Sequence, residues 1–556
     1  MSVSIYCVNT KTTQKVPVGS TLGEIYDAFE IKLPYRVISA RVNNKSEGLN
    51  YRVYRNKDVE FFDVTHPSAM RAYLRSLCFV LSKAVHDLYP KGEVVIEHPV
   101  SNGYYCNLYL DDTLTFEQVL SIKVRMQEII NADIPFKYFE ARSEDAVKLF
   151  EKHGMNDKVK LLQTTGALYT VYHQLDDMVD AFYGCLVPST GYLTTYDFVK
   201  YYDGALLRIP RKDNPNEVSD VVKQKKMLDV FDEALNWNSI LKLHNVGDLN
   251  IATATGKSSQ LINVAEVLQE KKIGQIADAI ALKNIEADGV RIILISGPSS
   301  SGKTTFSRRL STQLICNGLN PIPLSLDNYF LDREHTPLDE KGEYDFETLD
   351  ALDLNLLNEQ LKAVLSGEEV KTPEYNFKTG KKEYDDKRTL KIDENSILVL
   401  EGIHALNPSL IPGLSSTETF KIYVSALTTI SVDNHNWVST TDNRLLRRII
   451  RDYKYRGYSA KDTISRWPSV RAGEDKWIFP NQENADVMFN SALIFELAAI
   501  RDHVEPVLRQ VPRNCPEYAE AFRLLRFIGL FNSISDEEIP ASSLLREFLG
   551  GSLFRV

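Results

Sequence analysis

The sequence predicts a multidomain protein in which the C-terminal half is an α/β domain, a parallel sheet with flanking helices, preceded by a small β-rich domain and an α+β domain. Three observations lead to this prediction. At 556 residues the chain is too long for one hydrophobic core. The apolar run RIILISG is typical of a buried parallel strand, and it opens a long alternation of strand and helix patterns. The residues before it mix short alternating stretches with helical ones, as in α+β domains.

The N-terminal part is predicted to form two domains. Residues 1–64 alternate as short strands around one helical patch, TLGEIYDAFEI, whose start is marked by the capping candidates Ser20 and Thr21. Residues 65–212 begin with a helical pattern, AMRAYLRSLCFVLSKAVHDLY, and continue with alternating stretches and a second helical segment. We therefore expect a β-rich domain followed by an α+β domain.

The remaining chain divides into a connector and the α/β domain. The stretch PRKDNPNEVSD has the composition of a linker or long loop, and the following residues to about 285 have predominantly helical patterns. We predict a helical connector at 213–285. Residues 286–556 are predicted to hold the α/β domain and a C-terminal helical tail.

Composition narrows the functional classes. Sixty-five Lys and Arg residues against 75 Asp and Glu give a net charge of −10, which argues against a protein coated with basic residues for bulk nucleic-acid binding. The six cysteines form no C-x-x-C pair, so neither a zinc knuckle nor a redox motif is indicated. Because no apolar run reaches the length of a signal peptide or membrane span, we expect a soluble cytoplasmic protein without a membrane partner.

The most informative motif is G-x-x-x-x-G-K-T, directly after the strand RIILIS and before the helical pattern TTFSRRLSTQLI. In such a loop the backbone amides and the helix N-terminus hold phosphates, the lysine reaches the β- and γ-phosphates, and the threonine hydroxyl can bind Mg²⁺. We predict that a nucleotide binds here, which is ATP in the main hypothesis reached below. The predicted ATP-binding residues are Gly297, Pro298, Ser299, Ser300, Ser301, Gly302, Lys303, Thr304 and Thr305.

The loop alone does not distinguish a kinase from a GTPase or a motor, and two acidic residues bear on that choice. Asp327 follows the apolar segment PIPLSL, where ligands of open α/β sheets gather, and can accept the proton of an acceptor hydroxyl. Glu401 ends the run SILVLE and is a second acidic group that can hold Mg²⁺ together with Thr304. Both positions favour phosphoryl transfer.

A cationic helix is predicted in TDNRLLRRIIRDYKYRG. Arginines recur at three- and four-residue spacing, while Leu and Ile residues form the opposite face. Guanidinium groups on a mobile helix closing over the γ-phosphate would stabilise the charge that is transferred. The predicted catalytic residues are the arginines Arg447, Arg448 and Arg451, together with Asp327 and Lys303.

From about Arg291 to Leu497 the order of motifs resembles uridine kinases and their phosphoribulokinase relatives. These motifs are GPSSSGKTT, LSLDNYF, YDFETLDALD, TPEYNF, LVLEGIHAL, the arginine helix and ENADVMFNSA. The resemblance implies that Asp327 is the general base on a nucleoside 5′-hydroxyl and that Glu401 lies near magnesium. It further implies an acceptor site that contains Tyr329, Asp345 and Tyr375.

The acceptor itself stays open. Uridine kinases usually have a pyrimidine-reading histidine after this segment, but Gly380 stands at the matching position here. The segment from Lys371 to Lys391 also carries seven basic residues against four acidic ones, which suits a more anionic acceptor. The main hypothesis is an ATP-dependent nucleoside kinase, and the alternative is a kinase for another small alcohol such as a sugar phosphate.

The N-terminal half resembles parts of threonyl-tRNA synthetases. Residues 1–64 resemble the TGS domain, a β-grasp module, and residues 65–212 resemble the second, editing-type domain, with VPSTGYL as the most specific segment. In the synthetases that domain carries two His, a Cys and another His that converge on one site. The matching positions here hold Arg75, Phe79, Phe182 and Leu186. Since this set cannot activate water through a metal, we predict no deacylase activity.

A binding or regulatory function, in place of an enzymatic one, is the remaining alternative. The N-terminal half retains a scaffold that could bind RNA, a small regulator or another subunit. The phosphate loop would then act as a switch in a nucleotide-gated RNA-binding or regulatory protein, and self-association into a homo-oligomer also stays open.

Overall fold

The computed structural model describes residues 1–286, 289–339, 342–393, 395–413 and 417–554. Among these residues no helix has the length and apolar character that crossing a lipid bilayer would need.

The first unit is a mixed five-stranded sheet with one helix. Its elements are β1 (Ser2–Cys7), β2 (Thr12–Pro17), α1 (Leu22–Ala28), β3 (Val37–Val42), β4 (Lys45–Gly48) and β5 (Lys57–Asp63). The strand order is β2-β1-β5-β3-β4, in which only β1 and β5 run parallel. Thr21 begins α1 with a capping box, in which its hydroxyl accepts from the Glu24 amide while the Glu24 carboxylate accepts from the Thr21 amide.

The second unit combines helices with two antiparallel sheets. Its elements are α2 (Pro67–Leu88), β6 (Glu93–Val100), β7 (Gly103–Tyr109), α3 (Phe116–Asn131), β8 (Lys137–Arg142), α4 (Ser143–Lys152), α5 (Asn156–Thr165), β9 (Tyr169–Leu175), β10 (Met178–Asp180), β11 (Asp197–Tyr201) and β12 (Gly204–Arg208). The sheets have the orders β11-β12-β7-β6 and β10-β9-β8. The assignment of these two units to synthetase-type modules stays a prediction.

The four positions compared above with the editing-type site are occupied by side chains that pack together. The Phe79 and Phe182 rings lie 5.3 Å apart between centroids, and both side chains are buried. Arg75 donates from Nε and a terminal nitrogen to the Cys185 carbonyl, at 3.2 and 2.8 Å. Leu186 belongs to the same core. This region is therefore part of a hydrophobic core.

Three helices follow, α6 (Lys225–Leu241), α7 (Val246–Ala254) and α8 (Ser258–Glu286). Residues 209–224 before them are irregular apart from an isolated bridge, so the helical part begins later than residue 213. Helix α6 packs against the last strand of the parallel sheet, and α8 packs against the helix that follows the phosphate loop. The three helices are thus part of the framework of the α/β domain.

The α/β domain is built on a five-stranded sheet whose strands all run parallel. Its elements are β13 (Ile292–Ser296), α9 (Lys303–Cys316), β14 (Asn320–Ser325), α10 (Leu354–Leu365), β15 (Val370–Lys371), β16 (Glu374–Asn376), β17 (Lys381–Glu383), β18 (Thr389–Leu390), β19 (Ser396–Glu401), β20 (Thr419–Ser425), α11 (Thr440–Arg451), α12 (Ala460–Gly473) and β21 (Val487–Asn490). The order is β14-β19-β13-β20-β21. All five residues of β13 are buried, as the continuous apolar run predicts. The predicted parallel-sheet α/β fold is confirmed.

The C-terminal tail consists of α13 (Glu496–Arg509), α14 (Tyr518–Ile528) and the short α15 (Arg546–Leu549). Helices α13 and α14 share one core with α11, α12 and α7. The tail is therefore packed onto the arginine-bearing side of the α/β domain.

A buried ionic cluster joins the second unit to the α/β domain. The Lys158 ammonium lies 2.8 Å from carboxylate oxygens of both Asp180 and Asp433, and the three side chains are at most 2% exposed. His435 Nδ1 lies 2.6 Å from the other Asp180 oxygen. Asp433 and His435 belong to the loop between β20 and α11, so this loop is anchored in the N-terminal half.

Candidate active site

The phosphate loop lies between β13 and α9, and two of its glycines are sterically required. A side chain at Gly297 would place its Cβ 1.9 Å from the Val424 carbonyl oxygen. Gly302, which precedes α9, has a φ of 82°, in the left-handed region that favours glycine. Ser300 also has a positive φ, of 58°. The motif is thus held in a tight turn against β20.

Lys303, the first residue of α9, folds back over this turn. Its ammonium group donates to the carbonyl oxygens of Gly297 and Pro298, at 2.9 and 3.2 Å. Burial lowers the pKa of Lys303, and the negative charges of Glu401 and Asp327 oppose that shift. The predicted cation of the loop is therefore within electrostatic range of both predicted acidic residues.

Hydroxyl and carboxylate oxygens meet at the ends of two neighbouring strands. Glu401 ends β19 and is the register partner of Ser325, which ends β14. One Glu401 oxygen accepts from the hydroxyls of Thr304 and Ser325, at 3.3 and 3.1 Å. Burial, aided by Asp327, raises the pKa of Glu401 to about 7. Oxygen donors of this kind suit Mg²⁺, so the residues present fit that ion.

The other residues of the loop are bound by the surrounding side chains. The Ser299 amide donates to Glu474 at 3.2 Å, and the Ser299 carbonyl accepts from Arg444 Nε at 3.0 Å. The Ser301 carbonyl accepts from the hydroxyl of Ser491. Thr305, in the first turn of α9, donates its hydroxyl to Glu547 at 2.9 Å. The loop is thus fixed by hydrogen bonds from four separate segments of the chain.

The arginine helix α11 differs from the prediction of one packed and one open cationic face. Arg447 is fully buried, paired with Glu496 at 2.6 Å and bonded to the Ser491 carbonyl at 3.1 Å. Arg444 is also buried and forms an ion pair with Glu474. The helix packs on both faces, because buried carboxylates from elsewhere in the chain match its guanidinium groups.

Arg448 and Arg451 keep more open positions. Arg448 donates to the Ser299 hydroxyl at 3.0 Å and pairs with Asp452 at 3.2 Å. Burial lowers the pKa of Arg451 to about 10, and its Nε has no hydrogen-bond partner within the described part of the chain. The charge of Arg451 also acts on Lys303. Of the three predicted arginines, these two are partly exposed: Arg448 contacts the phosphate loop, and Arg451 pairs with Asp452 at 3.4 Å.

The predicted acceptor residues do not all converge. Asp327 lies in the 3₁₀ turn Leu326–Tyr329 directly after β14 and is partly exposed. Tyr329 in the same turn is fully buried and donates its hydroxyl to Gln360 at 2.8 Å, in the core rather than beside Asp327. Asp345 is partly exposed and accepts from the Glu347 amide at 3.0 Å. Tyr375 is 5% exposed.

An aromatic group surrounds Tyr375. Its ring lies 5.6 Å from that of Phe330 and 5.1 Å from that of Phe377, between centroids. Gly380 follows, with a φ of 72°, and a Cβ there would lie 2.8 Å from the Arg333 Cβ. Position 380 is therefore closed to a side chain, because Arg333 already packs against it.

Three acidic residues of the site lie outside the predicted set. Burial raises the pKa of Glu347 to about 7, and its nearest charges include Arg448 and Lys303. Glu347 stands two residues after Asp345, so the motif YDFE could have indicated it. Glu474 and Glu547 come from α12's end and from the C-terminal tail. No local pattern marks either as part of a phosphate site.

Comparison with known proteins identifies the family of one part of the chain. Residues 292–494 match the family described as the Phosphoribulokinase / Uridine kinase family. Uridine kinase of Staphylococcus aureus is 31% identical over 198 residues, which is 35% of this chain and 86% of that protein. A solved chain recorded as a "Possible Uridine Kinase" from Bacillus stearothermophilus has 18% identity and a TM-score of 0.26, over 39% of this chain and 98% of the other.

The matched residues contain the phosphate loop, Asp327, Glu401 and the arginine helix. Through residues 292–494 the chain belongs to the phosphoribulokinase and uridine kinase family, and it is a P-loop kinase.

Proposed function

We propose that the protein transfers the γ-phosphoryl group of ATP to the 5′-hydroxyl of a nucleoside, giving a nucleoside monophosphate and ADP. One observation carries the proposal. The strands β14 and β19 are parallel neighbours, so Asp327 and Glu401 lie together at their carboxyl ends, beside Lys303 of the phosphate loop. This proximity supports the proposal that a proton acceptor and a cation ligand serve one triphosphate site.

The residues divide the work as follows. The loop amides and Lys303 bind the β- and γ-phosphates of ATP. Thr304 and Glu401 would hold Mg²⁺, which when bound neutralises phosphate charge. Asp327 orients the acceptor hydroxyl and accepts its proton. The hydroxyl oxygen bonds to the γ-phosphorus as the bond from that phosphorus to the ADP oxygen breaks, and ADP leaves with the electron pair.

Arg448 and Arg451 stabilise the transferred group. Both have guanidinium groups near the loop, and Arg448 already contacts Ser299. Charge that develops on the equatorial oxygens during transfer is offset by such fixed donors. Arg447 instead supports the helix and the loop from within, since its buried guanidinium is engaged by Glu496, Ser491 and the Ser300 carbonyl.

A second acceptor class is supported by one observation. Arg333 occupies the space next to Gly380 and donates to the Phe377 carbonyl at 2.7 Å. A cation therefore stands where the pyrimidine-reading histidine would be expected. This arrangement favours an acceptor that carries negative charge, such as a sugar phosphate.

The test is a panel assay with the full-length protein, ATP and Mg²⁺. The panel contains the common ribonucleosides and deoxyribonucleosides together with several pentose and hexose phosphates. We expect monophosphate formation from at least one nucleoside, at a rate that is lower by about 100-fold or more with Asp327→Asn. Phosphorylation of sugar phosphates alone would replace the main proposal with the second one.

A third result would overturn both proposals. If the protein binds ATP, phosphorylates nothing in the panel and binds RNA with an affinity that depends on ATP, the phosphate loop is a switch. The N-terminal half would then be the effector.

A further inference from the structure

The C-terminal tail reaches the phosphate site although it lies beyond residues 292–494. After α14 the chain returns along the α/β domain and ends its last turn, α15, between two elements that handle phosphate, α9 and α11. No motif in the tail suggests such a role.

One side of the tail contacts α9. Glu547 is 8% exposed and accepts the hydroxyl of Thr305, which is fully buried. Leu544 is fully buried in the same core as Phe306 and Leu310 of α9. Since Thr305 follows Lys303 and Thr304 directly, the Glu547 carboxylate holds the turn that carries both predicted phosphate ligands.

The other side contacts α11. Phe548 is fully buried, and the guanidinium carbon of Arg447 lies 5.0 Å from the centre of its ring. Leu545 shares a core with Leu446 and Ile449 of α11. Adjacent residues of one short helix therefore contact the phosphate loop's helix and the arginine helix.

The tail is itself fixed in place. Arg546 donates from one terminal nitrogen to the carbonyl oxygens of Asp536 and Ile539, each at 2.6 Å. Lys454 donates to the Leu549 carbonyl at 2.7 Å. These hydrogen bonds fix the chain on both sides of Glu547, so its carboxylate has a defined position.

The charge of Glu547 also belongs to the site. Burial lowers the pKa of Lys303, and Glu401, Asp327 and Glu547 oppose that shift in decreasing order. Burial raises the pKa of Glu401, and among the charges that act on it are Asp327 and Glu547. Glu547, which lies 242 positions after Thr305 in sequence, thus acts on both groups.

We infer that Glu547 is a positioning residue for the phosphate loop: its hydrogen bond to Thr305 holds the first turn of α9 in the conformation that binds the triphosphate. This inference rests on the proposed use of ATP at the loop. Glu547 acts on the nucleotide through Thr305, Lys303 and Thr304.

The experiment measures the affinity of the full-length protein for ATP with Mg²⁺ by titration calorimetry. The variants are Glu547→Ala, Thr305→Val, their combination and Glu547→Gln. We expect Glu547→Ala and Thr305→Val each to weaken ATP binding by about 3- to 10-fold, the range of one hydrogen bond, with no further loss in the double variant. Glu547→Gln keeps an accepting oxygen, so its ATP affinity should stay within about twofold of the unmodified protein.

Leu549→Ala is the matched control, because it lowers the stability of the same segment without touching α9 through a polar bond. Its thermal midpoint should fall while its ATP affinity stays unchanged, with measurements made well below the midpoint of every variant. ATP affinity unchanged in Glu547→Ala, or reduced equally in Leu549→Ala, overturns the inference.

The result of this titration can be told apart from a failure of the proposed function. The titration needs no acceptor, so a protein that binds ATP but phosphorylates nothing refutes the acceptor proposal and leaves the positioning role standing. A protein that binds no ATP at all refutes both.

Discussion

Individual residues of the site acquire their properties from burial. Burial shifts the pKa of Lys303 downward and that of Glu401 upward to about 7, because the charged form of each loses hydration. Their proximity offsets part of both shifts. The chain thus keeps a carboxylate near its titration midpoint at neutral pH, where a bound cation would hold it ionised.

The pH dependence of the stability of Glu401→Gln tests the raised pKa of Glu401. The pKa of Glu401 is higher in the folded protein than the ordinary value of 4.5, so the folded state binds its proton more tightly than the unfolded state. Stability from this group is therefore present at low pH and lost as pH rises from about 4.5 to about 7. Without Mg²⁺, Glu401→Gln should be more stable than the unmodified protein by about 1–2 kcal/mol at pH 8 and nearly equal to it at pH 4.5.

Urea unfolding at both pH values measures this difference, and activity of Glu401→Gln should fall because a cation ligand is lost. A stability difference that is the same at both pH values would contradict the assignment of the shift to Glu401.

Lys303 and Asp327 are predicted to divide binding from transfer. Lys303→Ala should weaken ATP binding, because the cation over the loop is removed. Asp327→Asn should lower kcat by about 100-fold or more with ATP affinity retained, because the proton acceptor is lost while the loop is intact. Nucleotide titration and steady-state rates on an active acceptor separate the two effects. An equal loss of ATP affinity in both variants would show that the roles are not divided.

At the scale of elements, helix α11 carries both an apolar packed face and a face of arginines. Leu445, Leu446, Ile449 and Ile450 form its packed face, as the spacing predicts. The arginine face differs, since Arg444 and Arg447 are buried in ion pairs with Glu474 and Glu496. The helix is thus held against the phosphate loop from both faces, which differs from a free lid.

Arg447→Met should mainly lower stability, whereas Arg448→Met should mainly lower kcat. Arg447→Met leaves the Glu496 carboxylate buried and unpaired, so the free energy of unfolding should fall by about 3–5 kcal/mol. Arg448→Met removes a partly exposed donor near the loop and should mainly reduce kcat, by about 100-fold, with little change in stability.

Arg308→Met is the control for both, because Arg308 is exposed on α9. Denaturant unfolding and initial rates measure the two effects. A stable Arg447→Met protein with strongly reduced kcat would mean that Arg447 acts on phosphate, and an unchanged kcat in Arg448→Met would mean that Arg448 does not.

For the whole molecule, the N-terminal half and the α/β domain are joined by buried contacts. The loop between β20 and α11 places Asp433 and His435 against Lys158 and Asp180. The Trp437 ring lies 4.6 Å from that of Tyr104, between centroids. Because this loop leads directly into the arginine helix, the N-terminal half is positioned to influence the active site.

Lys158→Met should therefore destabilise the entire chain. It leaves Asp180 and Asp433 buried without their shared cation, a change that typically costs about 3–5 kcal/mol. We expect one cooperative thermal transition at a lower temperature, together with reduced kinase activity. Lys148→Met is the control, because that side chain is 76% exposed on the neighbouring helix α4. Two separate transitions, with the activity following only the upper one, would show that the halves are independent.

Much of the α/β domain could be predicted from local patterns. The apolar run of β13, the glycines of the loop, and Asp327 and Glu401 after their strands all follow from residues close in sequence. The roles of Glu474, Glu547 and Arg333 could not be predicted in this way. Each depends on a partner brought near by packing, such as Ser299 for Glu474 and Thr305 for Glu547.

By itself the sequence determined the parallel α/β fold and the P-loop kinase motifs, because strand hydrophobicity and loop chemistry are properties of short segments. The tertiary structure alone decided which arginines are buried in ion pairs and that Arg333 fills the space beside Gly380. It also decided that the N-terminal half contacts the loop before α11 and that the C-terminal tail contacts α9 and α11. These features depend on burial and on charges far apart in the chain. Whether a charged group is a ligand or an internal ion-pair partner is decided only when its neighbours are in place.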